Sequence, residues 1–136
     1  MRPEEAQTDT YVGLEHIESH DVRLARWGQP GDVRSAKSRF QTGDVLYGKL
    51  RPYLDKAAIA ERTGICSTDI IVLTPTEKTT SEFLAYTLHT RSVLQHAVAT
   101  TVGVNHPRTS WNALSQVSVA LPPLPEQRAI AYVLRT

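Results

Sequence analysis

The stretch GDVLYGKLRPYLDK, residues 43–56, decides how the rest of the chain is read. With a period of two, Leu46, Leu50 and Leu54 fall on one side, with Gly48 and Pro52 between them. Tyr47, Lys49, Arg51 and Tyr53 fall on the other. Side chains along a strand point alternately to opposite faces, so an extended segment presses its leucines inward and shows aromatics and cations outward. Tyrosine and arginine on a strand face can simply pair with a neighbouring strand. Lysine and arginine also supply point and forked donors for phosphates, and tyrosine hydroxyls add further backbone contacts. With Lys37 and Arg39 just upstream, the row makes a positive platform that favours a nucleic-acid partner.

The charge distribution around this stretch is uneven. Between Arg23 and Arg62 nine basic residues face four acids, a net of +5, whereas the whole chain carries +1. The remainder therefore stands at −4. Such asymmetry suits a patch that attracts a polyanion, and on charge alone an ordinary solvated surface fits equally well. At 136 residues, 40% of them hydrophobic, the chain has the size of one domain with a real core. No apolar run approaches the ~18 residues of a membrane span. The opening Met-Arg-Pro-Glu-Glu-Ala is polar, unlike a signal peptide. The single cysteine, Cys66, excludes an internal disulfide and a multi-cysteine zinc site. A cytoplasmic location and no membrane partner are the resulting expectations.

Outward from the central stretch, Tyr11 to Ile17 reads as a strand, and the Ser/Arg/Gly/Asp-rich residues after it as an exposed loop. KAAIAE and GICSTDIIVLTP supply further β-type runs, the latter stopping at Pro75 and burying Ile70 to Leu73. Thr79, Thr80 or Ser81 can cap a following helix, and Thr79 with Glu82 fits a capping box. Phe83, Leu84, Leu88, Leu94 and Val98 give its apolar stripe, with a break near Thr90 compatible with two shorter helices. Gly103 ends it. Ser110 can cap a short helix through Leu114, and QVSVALP returns as a strand. In LPPLPEQRAIAYVLRT the prolines stop that strand, and proline is tolerated in a first helical turn. Ile130, Val133 and Leu134 then form a stripe on a helix too short to stand alone in water.

The residues give no convergent catalytic set. His16 and His20 are four apart, but His16 lies in a strand-like run and no third metal ligand accompanies them. Cys66 beside Ser67, Thr68 and Asp69 sits in an apolar strand, the setting of a buried structural thiol. Pairings such as Asp44 with Lys49, or Asp69 with Glu82, occur by chance in most chains, and no glycine-rich phosphate loop is present. The segment VNHPRTSW, residues 104–111, is a second binding candidate. Asparagine reads adenine edges and arginine reads guanine edges, and Pro107 and Trp111 could hold Asn105, His106 and Arg108 in place. Composition alone favours a simpler role for the segment, in turns and caps.

In order along the chain stand YVGLEHIES, F-x-x-GDVLYGKLRPYLDKA, GICSTDIIVL, TTVGVNHPRTSW and LPPLPEQRAI. Together they resemble a target-recognition domain from the specificity subunit of a type I restriction-modification system, and GDVLYGKLRPYL followed by LPPLPEQRAI is the specific signature. The resemblance implies an α+β fold, a twisted and mostly antiparallel sheet with packed helices. It assigns residues 1–121 to the DNA target-recognition domain and 122–136 to the start of the spacer and dimerisation helix. It implies reading one half of a bipartite site in double-stranded DNA, with no catalysis by this chain. S-adenosylmethionine, ATP and Mg would belong to partner subunits: DNA methyltransferase (modification) subunits and, indirectly, the restriction/translocase subunit. A homodimer through the C-terminal helix is a further expectation. The chain departs from the full pattern in three respects: it holds one recognition domain, an expected strand ahead of the opening segment is missing, and the spacer helix breaks off after Thr136. An excised domain, a truncated product and a half-subunit all fit. The DNA-binding expectation covers Lys37, Arg39, Tyr47, Lys49, Arg51, Tyr53, Asn105, His106 and Arg108. Lys49 and Arg51 are the phosphate holders, and Tyr47 and Tyr53 have structural roles as an alternative. A fused methyltransferase–nuclease, or a protein-interaction module with an acidic partner, are the rival readings.

Overall fold

Six short strands and four helices follow one another along the chain in a computed structural model that describes residues 8–33 and 37–135. The polar N-terminal run and Arg34 lie outside the described residues. The strands are β1 (Tyr11–Val12), β2 (Lys37–Phe40), β3 (Val45–Gly48), β4 (Ala57–Ile59), β5 (Gly64–Ser67) and β6 (Ile70–Leu73). The helices are α1 (Ser81–Leu88), α2 (Arg91–Ala99), α3 (Trp111–Leu114) and α4 (Leu124–Arg135). The expected single sheet is two sheets of three strands, ordered β1-β5-β2 and β4-β3-β6. All pairs are antiparallel except β1 with β5. GICSTDIIVL, which reads as one run, turns between Ser67 and Ile70 and passes from the first sheet to the second. The fold is α+β, as the sequence implies.

Two apolar cores define three layers. Val12, Phe40 and Cys66 of the first sheet meet Leu46, Ala58 and Ile70 of the second. On the other side of the second sheet, Val45, Tyr47 and Ala57 meet Ala85 and Leu88 of α1, Val93 and Ala97 of α2, and Leu114 of α3. Strand β3 is thus central and buried on both faces, with no residue left on a solvent side. Gly64 lets the layers close: a Cβ there would lie 2.7 Å from both the Phe40 ring and the Thr10 carbonyl oxygen. Cys66 is fully buried, and burial pushes its thiol up to about 12, so it is the structural thiol expected.

Helices α1 and α3 begin at capping residues that the sequence marks. Of the three candidates for α1, Thr80 is the cap; its hydroxyl accepts the Phe83 N–H at 3.0 Å. The apolar stripe does break, with His89 and Thr90 between α1 and α2. Ser110 caps α3 through the Ala113 N–H at 3.1 Å. Two expectations fail. Tyr11 to Ile17 is a strand only over two residues, followed by a tight turn at Leu14–His16. QVSVALP has no strand at all: Val117 packs in the same apolar core as Ile71 and Leu73 of β6, and with Val119 these residues line a groove of ≈ 560 Å³ without forming a ladder. Among the described residues no helix is long and apolar enough to cross a membrane.

The C-terminal helix docks by an unexpected face. Ile130, Val133 and Leu134 are exposed, whereas Gln127 and Ala131 are buried. The Gln127 Oε1 accepts the Thr80 N–H at 3.0 Å, and its Nε2 donates to the carbonyls of Lys78 and Pro122, both at 2.8 Å. One side chain therefore ties α4 to the start of α1 and to the linker before it.

Candidate nucleic-acid interface

The extended backbone of the central stretch stops at Gly48, and the chain beyond it turns sharply. Pro52–Leu54 forms a tight turn, flanked by Arg51 (φ 50°, ψ 62°) and Asp55 (φ 54°, ψ 60°). Both occupy the left-handed region that non-glycine residues seldom adopt, at a cost on the order of 1–3 kcal/mol each. The alternation of the sequence therefore ends before Lys49. Tyr53 and Leu54 are both exposed, against the expectation that Leu54 faces the core.

Each strained residue is held by its neighbours. The Arg51 N–H donates to the Pro107 carbonyl at 2.7 Å. Asp55 is buried, with its Oδ2 2.8 Å from His20 Nδ1. Its Oδ1 lies 2.9 Å from His89 Nδ1, a close polar approach oblique to the hydrogen-bond directions. His89 Nε2 donates to the carbonyls of Asp21 and Ala57, at 2.9 and 2.8 Å. Carbonyl oxygens only accept, so this nitrogen carries a proton. The cluster pins the end of the Pro52–Leu54 turn to the connection after α1.

The two candidate segments of the sequence come together here. The Thr109 N–H donates to the Lys49 carbonyl at 3.0 Å, and with the Arg51–Pro107 bond this makes Leu50 and Arg108 antiparallel partners. Val102 and Arg108 exchange both backbone bonds, at 2.9 and 3.1 Å, closing the loop between them. Arg51 Nη2 reaches the Asn105 carbonyl at 3.2 Å and approaches His106 Nδ1 at 3.5 Å. Lys49, Arg51, Asn105, His106 and Arg108 thus share one ladder-locked surface, with Tyr53 on the adjoining turn.

Asp69 is the residue that sequence reasoning missed. It lies in the turn between β5 and β6, and its backbone carbonyl accepts the Lys49 N–H at 2.9 Å. Its carboxylate takes a fork from Arg108, Nε to Oδ1 at 2.7 Å and Nη2 to Oδ2 at 3.3 Å. The hydrogen bond from Arg108 holds the Asp69 carboxyl below the usual range, against the opposing effect of burial, and the charges of Arg108, Lys49 and His106 add to it. The same bond raises Arg108. The fork uses Nε and one Nη2 hydrogen, and Nη1 reaches the His106 carbonyl at 3.4 Å, which leaves one hydrogen on each of Nη1 and Nη2 for a paired acceptor such as a guanine edge. No local spacing signals this pair, which lies 39 residues apart in sequence.

Three expected site residues lie elsewhere. Tyr47 is only 2% exposed and belongs to the core against the helices, because β3 is covered on both faces. Burial pushes its phenol up to about 12, with the nearby Asp55 charge adding to the shift. Lys37 is 8% exposed, with its Nζ 5.5 Å from the centre of the Tyr11 ring. Arg39 is exposed but sits on β2 of the other sheet, opposite Ile65. Among the described residues no group of three or more His, Cys, Asp or Glu could hold a metal ion.

Known proteins share this architecture. A structure of the HsdS subunit from Thermoanaerobacter tengcongensis matches with a TM-score of 0.81 at 24% identity, covering 98% of this chain and 37% of that one. A second, from work on complex assembly and conformational transition of the type I R-M system, gives 0.81 at 23% identity, covering 98% and 38%. At those identities the likeness establishes the fold. The type I restriction enzyme EcoDI specificity subunit of Escherichia coli is 37% identical over 122 residues, 88% of this chain and 27% of that protein. The chain thus spans between about a quarter and two fifths of the length of these relatives. The family model for the type I restriction modification DNA specificity domain matches residues 33–136, which take in the central stretch, the Asp69 turn, the 102–109 loop and the Gln127 clip. This chain, with its two sheets and its ladder-locked cationic surface, belongs to that family.

Proposed function

We propose that the chain reads one half of a bipartite duplex DNA site, as a target-recognition domain of a type I specificity subunit. The observation that carries this reading is the joining of Lys49 and Arg51 to the 102–109 loop by backbone bonds. Three cations, Lys49, Arg51 and Arg108, stand there against one carboxylate, Asp69. Lys49 and Arg51 hold phosphates, which position the protein without carrying sequence information. Asn105, His106 and the outer edge of Arg108 face bases, with Tyr53 at the margin. The chain performs no chemistry itself. Methylation, cleavage and their S-adenosylmethionine, ATP and Mg belong to methyltransferase and translocase partners in the cytoplasm. Residues 1–121 then form the reading unit, and residues 122–136, which include α4, begin the spacer. Its exposed Tyr132, Val133 and Leu134 support a helix that continues against another segment, a methyltransferase or a second copy of the chain.

The test is binding to duplex DNA across a salt series. Each phosphate contact contributes about 0.9 to the slope of log K against log salt, so replacing Lys49 and Arg51 with alanine should flatten it by about two units. An unchanged slope in a folded double variant removes both residues from the interface.

A further inference from the structure

We infer that Val104, with Val102 beside it, is an apolar base-reading element that takes the C5 methyl of a thymine in the major groove; the inference rests on the duplex-reading function proposed above. Val102 and Val104 are 80% and 95% exposed, the two most exposed large apolar side chains among the described residues. A single exposed valine needs no explanation. The placement of these two does, because they sit on a loop fixed at three points. Val102 and Arg108 close its base with both backbone bonds. Arg51 holds it from the neighbouring segment through the carbonyls of Pro107 and Asn105, at 2.7 and 3.2 Å. Gly103, at φ +109°, folds the tip over: a Cβ there would lie 2.9 Å from the His106 carbonyl oxygen.

A tip held this way gives up little conformational freedom on binding, which preserves affinity for what it touches. Valine adds to this because it is stiff at χ1, so its two methyls are already placed. The surroundings choose the partner. Lys49, Arg51 and Arg108 outnumber Asp69 beside the tip, and Asn105 and His106 follow Val104 directly, both exposed. Burying the tip against an apolar protein surface would desolvate those polar groups without partners. A duplex groove satisfies both needs. It offers phosphates to the cations and acceptors to the amide, and thymine alone among the four bases adds a methyl to the major-groove edge.

The experiment selects the preferred site of the full chain from a random duplex pool. Binding of wild type and Val104→Ala is then compared on that duplex and on copies in which each thymine in turn is deoxyuridine, which lacks only the methyl. One thymine should matter. Its replacement should weaken wild type about fourfold, the effect of one buried methyl group. Val104→Ala should lose at least as much on the thymine duplex and stop responding to that replacement. Val104→Thr, which keeps the shape and exchanges a methyl for a hydroxyl, should fall between them. A selected site without thymine overturns the inference and leaves duplex reading intact. So does a deoxyuridine penalty equal in wild type and Val104→Ala at every position. Absence of salt-sensitive duplex binding overturns the duplex reading itself, and the inference with it.

Discussion

Replacing Gln127 with alanine should cost the fold about 3 kcal/mol, far more than a polar residue in a terminal helix ordinarily would. Gln127 is 0% exposed and makes three hydrogen bonds, to the Thr80 N–H and to the carbonyls of Lys78 and Pro122. A neutral hydrogen bond is worth roughly 0.5–1.5 kcal/mol net, and a buried partner left unpaired costs about 1–3 kcal/mol. Three bonds at about 1 kcal/mol each set the scale. For a domain of this size each kcal/mol moves the melting temperature by roughly 3–5 °C, so a fall of about 10–15 °C is expected. Circular dichroism melts and urea titrations read it, with the exposed Gln95→Ala on α2 as the control that should change little. Gln127→Glu sharpens the test. Its carboxylate can still accept from Thr80 but turns its second oxygen toward two carbonyls, so at neutral pH it should be at least as destabilised as the alanine variant. On acidification a protonated carboxyl can donate one bond, and part of the stability should return. A Gln127→Ala protein melting within about 3 °C of wild type would show that α4 is not held by this clip.

The other predictions concern the proposed interface and the core. Asp69→Asn removes the one carboxylate from the cationic surface, so binding to scrambled duplex should strengthen and its salt slope steepen by up to about one unit, while discrimination falls as Arg108 loses its orientation. Because the Asp69 carboxyl is held below its ordinary value, its stabilising contribution is present above about pH 4 and is lost as pH falls through the lower folded value. Wild type and Asp69→Asn should therefore converge in stability in acid, as parallel pH-dependent melts would reveal. Arg108→Ala and Asn105→Ala should weaken the selected half-site more than scrambled DNA, whereas Lys49→Ala should weaken both by similar factors in competition titrations. Cys66, fully buried with its thiol raised to about 12, should stay inert to a thiol reagent at pH 8 until denaturant is added.

How much of the fold is legible in the sequence depends on what each residue pattern has to distinguish. Capping residues and apolar helical spacing place α1 to α3 well, because those signals act within one turn. The alternation of Leu46 against Tyr47 does mark two faces, but not what covers them. A strand with one solvated face and a strand between two layers both alternate, and β3 is the second kind. The tyrosine hydroxyl and its neighbouring cations invite the first reading. QVSVALP fails for the complementary reason. Val117, Val119 and Leu121 alternate as a strand would, yet pairing needs a neighbour in register, and here the segment meets β6 through side chains around an apolar groove and not through a backbone ladder. In α4, the apolar residues Ile130, Val133 and Leu134 are the conspicuous ones, while the face that docks is marked by a glutamine and an alanine. Polar clips of that kind leave no hydrophobic signature.

The proposed interface is legible as two segments but not as one surface, and the reason lies in two backbone angles. An extended chain from Val45 to Leu54 would carry Arg51 away from any loop near Pro107. Left-handed angles at Arg51 and Asp55 turn it instead, and neither residue type announces that conformation as glycine would. Such angles persist only where the surroundings over-determine them. Arg51 is fixed by the Pro107 carbonyl, and Asp55 by His20 and His89 from two other segments. The strain and its restraints are therefore one device. The Asp55–His20–His89 cluster, in which Asp55 is buried and His20 exposed, holds the end of the Pro52–Leu54 turn, and the 102–109 loop holds its beginning through Arg51. Asp55→Ala should therefore act at a distance. With the turn released, Arg51 loses its fixed relation to Asn105 and Pro107, and discrimination between selected and scrambled duplex should fall more than the salt slope does. A slope that collapses while discrimination survives would mean that the cluster supports phosphate contacts alone, and that the loop keeps its shape without it.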